Sequence, residues 1–194
     1  MKKHILPEIP TTQALEAELQ RVRDKNHFHA MLKRTAYILI IVAAAATLVA
    51  TLFLPVMRIY GTSMTPTIDN GDIVVAVKTT DVSRGDVIAF YCNNKVLVKR
   101  VIGCAGDWID VDKNGVVTVN GSQLDEPYVS SRALGNTNIE LPYQVPDNKF
   151  FVMGDHRESS IDSRNTEVGC VGQDQIVGRV VWRLWPLAHI RMIR

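Results

Sequence analysis

The chain has 194 residues, 46% of them hydrophobic, and a formal net charge of +2. That length holds one modest domain plus an anchor, and so small a charge argues against nucleic acid as a partner. Its three cysteines, Cys92, Cys104 and Cys170, are widely spaced and form no CxxC pair. A metal site is therefore not expected, while a Cys92–Cys104 disulfide stays open.

Residues 1–10 read as a loose tail with two prolines. An N-cap at Thr11 or Thr12, followed by Leu15, Leu19 and Val22 at helical spacing, predicts a short amphipathic cytoplasmic helix within a leader of residues 1–34. Next comes "TAYILIIVAAAATLVATLFLPVM", residues 35–57, without a charge. It is long enough to cross a hydrocarbon core of ~30 Å and predicts one transmembrane helix. It starts too late and runs too long for a cleaved leader, and no A-x-A site follows before Arg58. Lys25, Lys33 and Arg34 precede it closely, with Arg21 and Arg23 further back, whereas only Arg58 lies close behind. The positive-inside rule then puts the N-terminus in the cytoplasm, and residues 58–194 outside a cell membrane crossed once.

Beyond residue 58 the pattern changes to period two. "DIVVAVKT", "DVIAFYC", "KVLVKRVIGC", "KFFVMGD" and "QIVGRVVWRLW" read as strands rich in β-branched residues. Asn114-Gly115 and Asn120-Gly121 are hairpin signals, so residues 108–145 read as an insertion containing a three-stranded meander and a long polar loop. The expected class is mainly β, with an ectodomain closed as a barrel or a sandwich.

Three stretches could carry chemistry. "GTSMTPTIDNGD", Gly61–Asp72, presents Ser63 in a turn-rich loop. The ectodomain has two histidines, His156 and His189. His189 has no evident orienting acid, and His156 has only its chain neighbour Asp155, so a serine nucleophile needs another base. A lysine serves if burial strips its proton near neutral pH. Of Lys78, Lys95, Lys99, Lys113 and Lys149, only Lys99 sits in a strand that is apolar on both faces. It is either held there for use or is an exposed edge-strand lysine. The third stretch, "GDHRESSIDSR", Gly154–Arg164, is either a polar loop with surface ion pairs or the brace of a site.

In that order behind an apolar span, "GTSMTPTI", "LVKRVIGCAGD" and "GDHRESSIDSR" resemble the boxes of bacterial type I signal peptidases, with a Gram-positive-like pattern. "NGSQLDEPY" and "GRVVWRLWP" also resemble the family, which covers roughly residues 35–187. The resemblance implies a membrane-anchored serine–lysine endopeptidase that removes signal peptides from exported preproteins. It would need no cofactor and would prefer small residues one and three positions before the cut. It implies Ser63 as nucleophile, Lys99 as general base and Ser160 as the hydroxyl positioning the amine. Asp162 and Arg164 become a supporting ion pair, Asp155 a further structural acid, and Met64 part of the substrate cleft.

Two positions depart from the family. His156 stands where its loop usually has Asn, and Gly61 stands where some relatives carry a serine that helps hold the oxyanion, leaving backbone N–H groups of the 61–63 loop to do so. Near the C-terminus, Trp182, Trp185, Arg183, Arg191 and Arg194 are candidates for contact with lipid headgroups, or else a core tryptophan pair with a solvated basic tail. The competing readings are a non-catalytic membrane-anchored β module that binds exported proteins, and a self-cleaving repressor-like Ser-Lys protease.

Overall fold

From Thr12 to Phe53 the sequence holds neither proline nor glycine, and in the computed structural model, which describes residues 12–193, this stretch is one helix, α1. The expected tail, Thr11 and Arg194 lie outside the described residues. No break separates the expected leader helix from the apolar run. Leu15, Leu19 and Val22 are exposed, as are Ile38, Leu39 and Ile40. The helix stops at Phe53, short of residue 57, because Pro55 cannot continue it. Its last turn closes with Leu54 N donating to Ala50 O at 2.8 Å. Val56–Arg58 are already a strand, β1. The chain divides into two compact units between Val49 and Ala50.

The second unit is antiparallel β. Its main sheet has the order β1-β2-β11-β3-β4-β9-β10, with β12 also pairing on β11. The strands are β2 (Ile73–Val77), β3 (Val87–Cys92), β4 (Lys95–Gly103), β9 (Lys149–Met153), β10 (Val171–Gly172), β11 (Ile176–Trp185) and β12 (Arg191–Met192). A second sheet has the order β7-β6-β5-β8, from Ser122–Gln123, Val117–Val119, Trp108–Val111 and Tyr143–Gln144. The expected three-stranded meander thus gains a fourth strand from the end of the long polar loop.

Turn chemistry explains the local joins. Asn93 and Asn94 have φ of 45° and 63°, the conformation a two-residue hairpin between β3 and β4 requires. Asn120-Gly121 does the same between β6 and β7. Asn114-Gly115 does not form such a turn: the Asp112 carboxylate accepts from Asn114 N at 2.9 Å and Val116 N at 2.8 Å, organising a wider loop.

β4 is the strand that matters for the site. Val98 packs on the cluster built around Met64, Ile68 and Val74. Ile102 belongs to a second cluster with Ile109 and Phe151, and Val101 to a third with Ile88 and Phe90. β3 pairs along β4 from Lys95 to Arg100, but β9 pairs only from Arg100 onward. Among the described residues, 96–99 therefore keep one strand edge free of a ladder partner. β1 likewise pairs on one side only, with β2.

Candidate active site

The loop after β1 is closed at its base, where Ile59 N donates to Asp72 O at 2.8 Å and Gly71 N to Ile59 O at 2.9 Å. Inside it Met64 and Ile68 are buried, and Ile68 N donates to Met64 O at 2.9 Å. These anchors hold Ser63 between them at the surface, half-buried. Gly61 has φ of +102°, open to glycine and strained for other residues, and its amide donates to Asn70 Oδ1 at 3.0 Å. That amide is occupied, so within the 61–63 loop the Ser63 N–H is better placed than that of Gly61 to meet an oxyanion.

Lys99 Nζ and Ser63 Oγ share a hydrogen bond of 2.6 Å. Lys99 is 4% exposed, whereas Lys78, Lys95, Lys113 and Lys149 are all exposed. Burial lowers the Lys99 pKa from 10.5 to about 8; Asp162 and Asp155 pull it up and Arg164 pushes it down, a lesser balance. A substantial share of the amine is therefore neutral at mildly alkaline pH.

The 154–164 loop is held by buried ion pairs. Asp162 receives Arg164 through two bonds of 2.8 Å and Gly154 N at 2.9 Å. Burial alone would raise its pKa; the Arg164 guanidinium, the nearby Ser160 hydroxyl and the Gly154 amide outweigh this and hold the carboxyl below its usual range. Asp155 pairs with Arg100 at 2.9 and 2.8 Å and accepts from Thr67 Oγ1 at 2.5 Å, tying this loop to the loop that carries Ser63. The Arg100 guanidinium lies 3.9 Å above the Tyr128 ring. Ser160 is fully buried, and among the described residues its hydroxyl meets no partner in hydrogen-bonding geometry, so the expected bond to the Lys99 amine is not formed here. A Cβ on Gly154 would collide with Ser160 Oγ and with the Ser63 carbonyl. Glycine is required there because Ser63, Gly154 and Ser160 converge.

A family model described as signal peptidase, peptidase S26, matches residues 32–185. The chain belongs to this family. Signal peptidase IB of Staphylococcus aureus strain COL is 37% identical over 154 residues, 69% of this chain and 78% of that protein. Signal peptidase I of Bacillus caldolyticus is 40% identical over 161 residues, 73% of this chain and 87% of that protein. A solved signal peptidase I from Enterococcus faecalis V583 is 28% identical, covers 51% of this chain and 96% of its own, and aligns with a TM-score of 0.42.

In this signal peptidase family member neither His156 nor His189 is bonded to Ser63 Oγ. The His156 ring meets Ser159 Oγ at 2.8 Å, and its backbone N–H donates to the Ser63 carbonyl at 3.1 Å. His189 is exposed. Two further residues reach the site unforeseen from the sequence. Arg157 donates to the Gly154 carbonyl at 2.9 Å and forms a buried pair with Glu126 at 2.5 Å. Glu126 also accepts from Tyr128 OH at 3.2 Å. The signals were Glu126 within "NGSQLDEPY" and Arg157 within "GDHRESSIDSR", but nothing in the sequence paired them. All three cysteines are free, so Cys92 and Cys104 form no disulfide. Arg183 does not face outward as a headgroup contact. It is buried against Asp72 at 2.9 Å, while Trp182 and Trp185 on the same strand are exposed.

A cleft of about 390 Å³ opens beside Ser63. Met57, Ile59 and Tyr60 form one wall, Val96 and Val98 the other, with Met64 and Lys99 at one end. Its walls are the two strand edges without ladder partners.

Proposed function

We propose that this chain is a membrane-anchored serine endopeptidase that removes signal peptides from exported preproteins, with Ser63 as nucleophile and Lys99 as general base. The observation that carries this reading is the 2.6 Å contact between the half-buried Ser63 and the single buried lysine among five in the ectodomain. Neutral Lys99 takes the Ser63 hydroxyl proton as Oγ attacks the scissile carbonyl. The oxyanion meets the Ser63 N–H, a donor of a kind worth about 3–4 kcal/mol to the transition state. As the C–N bond breaks, the Lys99 ammonium gives its proton to the leaving amine. The same lysine then deprotonates the water that attacks the acyl-enzyme, and the signal peptide leaves with a new carboxylate. Asp162–Arg164 and Asp155–Arg100 brace the loops, and Ser160 packs against Gly154 beside the Ser63 carbonyl.

An extended preprotein segment fits the cleft as an added strand between the edges of β1 and β4. On such a strand, residues one and three before the cut face the same side. The apolar walls of Ile59, Met64 and Val98 then favour small residues there. The apolar part of α1 serves as the anchor. Lys25, Lys33 and Arg34 hold the N-terminus in the cytoplasm and leave the domain after residue 58 outside, where exposed Trp182 and Trp185 can meet lipid headgroups.

The test is cleavage of a purified A-x-A preprotein by the full-length protein in detergent, with the new N-terminus read by mass spectrometry. Ser63→Ala and Lys99→Ala should each lower turnover by about 10³-fold or more. Most of the rate surviving in Lys99→Ala refutes the dyad. Binding without any cut by the wild type favours a non-catalytic module.

A further inference from the structure

Lys99 is a wall shared by two grooves. The first holds Ser63 and lies between β1 and β4. The second, of about 380 Å³, includes Lys99 but not Ser63. Its floor is Leu97, Ile161 and Val168, and Cys92 stands in its side. Both cavities are large enough to take side chains. The second is built rather than incidental. Asn93 Nδ2 donates to the Glu167 carbonyl at 3.4 Å, and the Cys92 thiol approaches the same carbonyl at 3.9 Å. These contacts lock the β3–β4 hairpin to the loop that carries Ser160 and Ile161.

Cleavage makes two products, and they must leave the scissile point in opposite directions. The acyl half is bonded to Ser63 and stays in the groove that contains it. The leaving half begins at a nitrogen that must lie within reach of both Ser63 Oγ and Lys99 Nζ, which are 2.6 Å apart, and from there it runs away from the acyl half, toward the other groove that Lys99 lines. Resting on the Ser63–Lys99 reading above, we propose that the second groove binds the first residues of the mature protein, just after the cut, and that Ile161 and Cys92 line their subsite. Leu97 runs into both grooves and makes the path continuous. Ile161 is 44% exposed although it directly follows fully buried Ser160, which suits a side chain turned toward a substrate.

Cys92 gives a test that needs no turnover. Full-length Ser63→Ala in detergent is mixed with a preprotein bearing one cysteine, either two residues after the cut or three before it. Mild oxidation follows, and peptide mapping locates the disulfide. The downstream cysteine should pair with Cys92, the upstream one should not, and Cys92→Ser should abolish the product. A second arm measures selectivity. In Ile161→Trp, the preference for Ala over Leu two residues after the cut should rise about tenfold, and the preference one residue before it should not move. An upstream cysteine pairing with Cys92 overturns the proposal. So does the absence of a downstream cross-link while wild type in the same preparation cuts the preprotein. Absence of both cut and cross-link counts against the dyad reading, and the groove falls with it.

Discussion

Replacing Lys99 by Met should make the protein more stable while silencing it. Burial holds the Lys99 pKa at about 8 against an ordinary 10.5. At about 1.4 kcal/mol per pH unit, keeping the amine charged in the folded state below pH 8 costs about 3 kcal/mol. The sign follows from proton counts. Between pH 8 and 10.5 the unfolded chain keeps a proton that the folded one has lost, so wild-type stability rises across that window, and below it the penalty is complete. Met fills a similar volume without a charge. It forfeits the bond to Ser63, worth about 1 kcal/mol, leaving a net gain of about 2 kcal/mol at pH 7. For a chain of this size that is about 4–8 °C in Tm, read by thermal melts of the full-length protein in detergent. The gain should shrink steadily as pH climbs from 8 toward 10.5. A Lys99→Met protein that melts below wild type at pH 7, or whose advantage is the same at pH 7 and pH 10, refutes the burial account.

Three other outcomes are expected. Preprotein cleavage, as kcat/KM, should rise about tenfold per pH unit up to about 8 and level off above it, because protonated Lys99 cannot accept the Ser63 proton; a flat profile from pH 6 to 9 contradicts a lysine base. Gly154→Ala forces a Cβ into the Ser160 hydroxyl and the Ser63 carbonyl. It should cut turnover by about 10²-fold and cost about 1–3 kcal/mol in urea denaturation, so wild-type kinetics would count against the three-way contact. Glu126→Ala strands Arg157 as an uncompensated buried charge and should cost about 3–5 kcal/mol, with an unchanged urea midpoint as the contrary result.

Much of the architecture is written locally. The uncharged run, the period-two strands and a lysine flanked by apolar residues on both strand faces are all patterns within a few residues of chain. What escaped depends on partners far along the chain. Arg183 looked like part of a basic tail, but Asp72, more than a hundred residues earlier, draws it inside. Arg157 and Glu126 were two charges among many in polar loops until the fold brought them together under Gly154. Met57 belongs to the same apolar run as the helix, and composition does not mark where helix becomes strand; Pro55 does. Asn114-Gly115 carries a strong turn signal that the nearby Asp112 carboxylate overrides.

The buried pairs of Arg100 with Asp155, Arg157 with Glu126 and Arg164 with Asp162 set three cations against three anions around one short loop. Their far fields largely cancel, so the Lys99 amine sits in an electrically balanced compartment and owes its lowered pKa chiefly to dryness, with the neighbouring charges a lesser balance. Dissolved ions screen exposed charges far more than enclosed ones. The pH at which Lys99 gives up its proton should therefore move little with the ionic strength of its surroundings, whatever salt the medium carries.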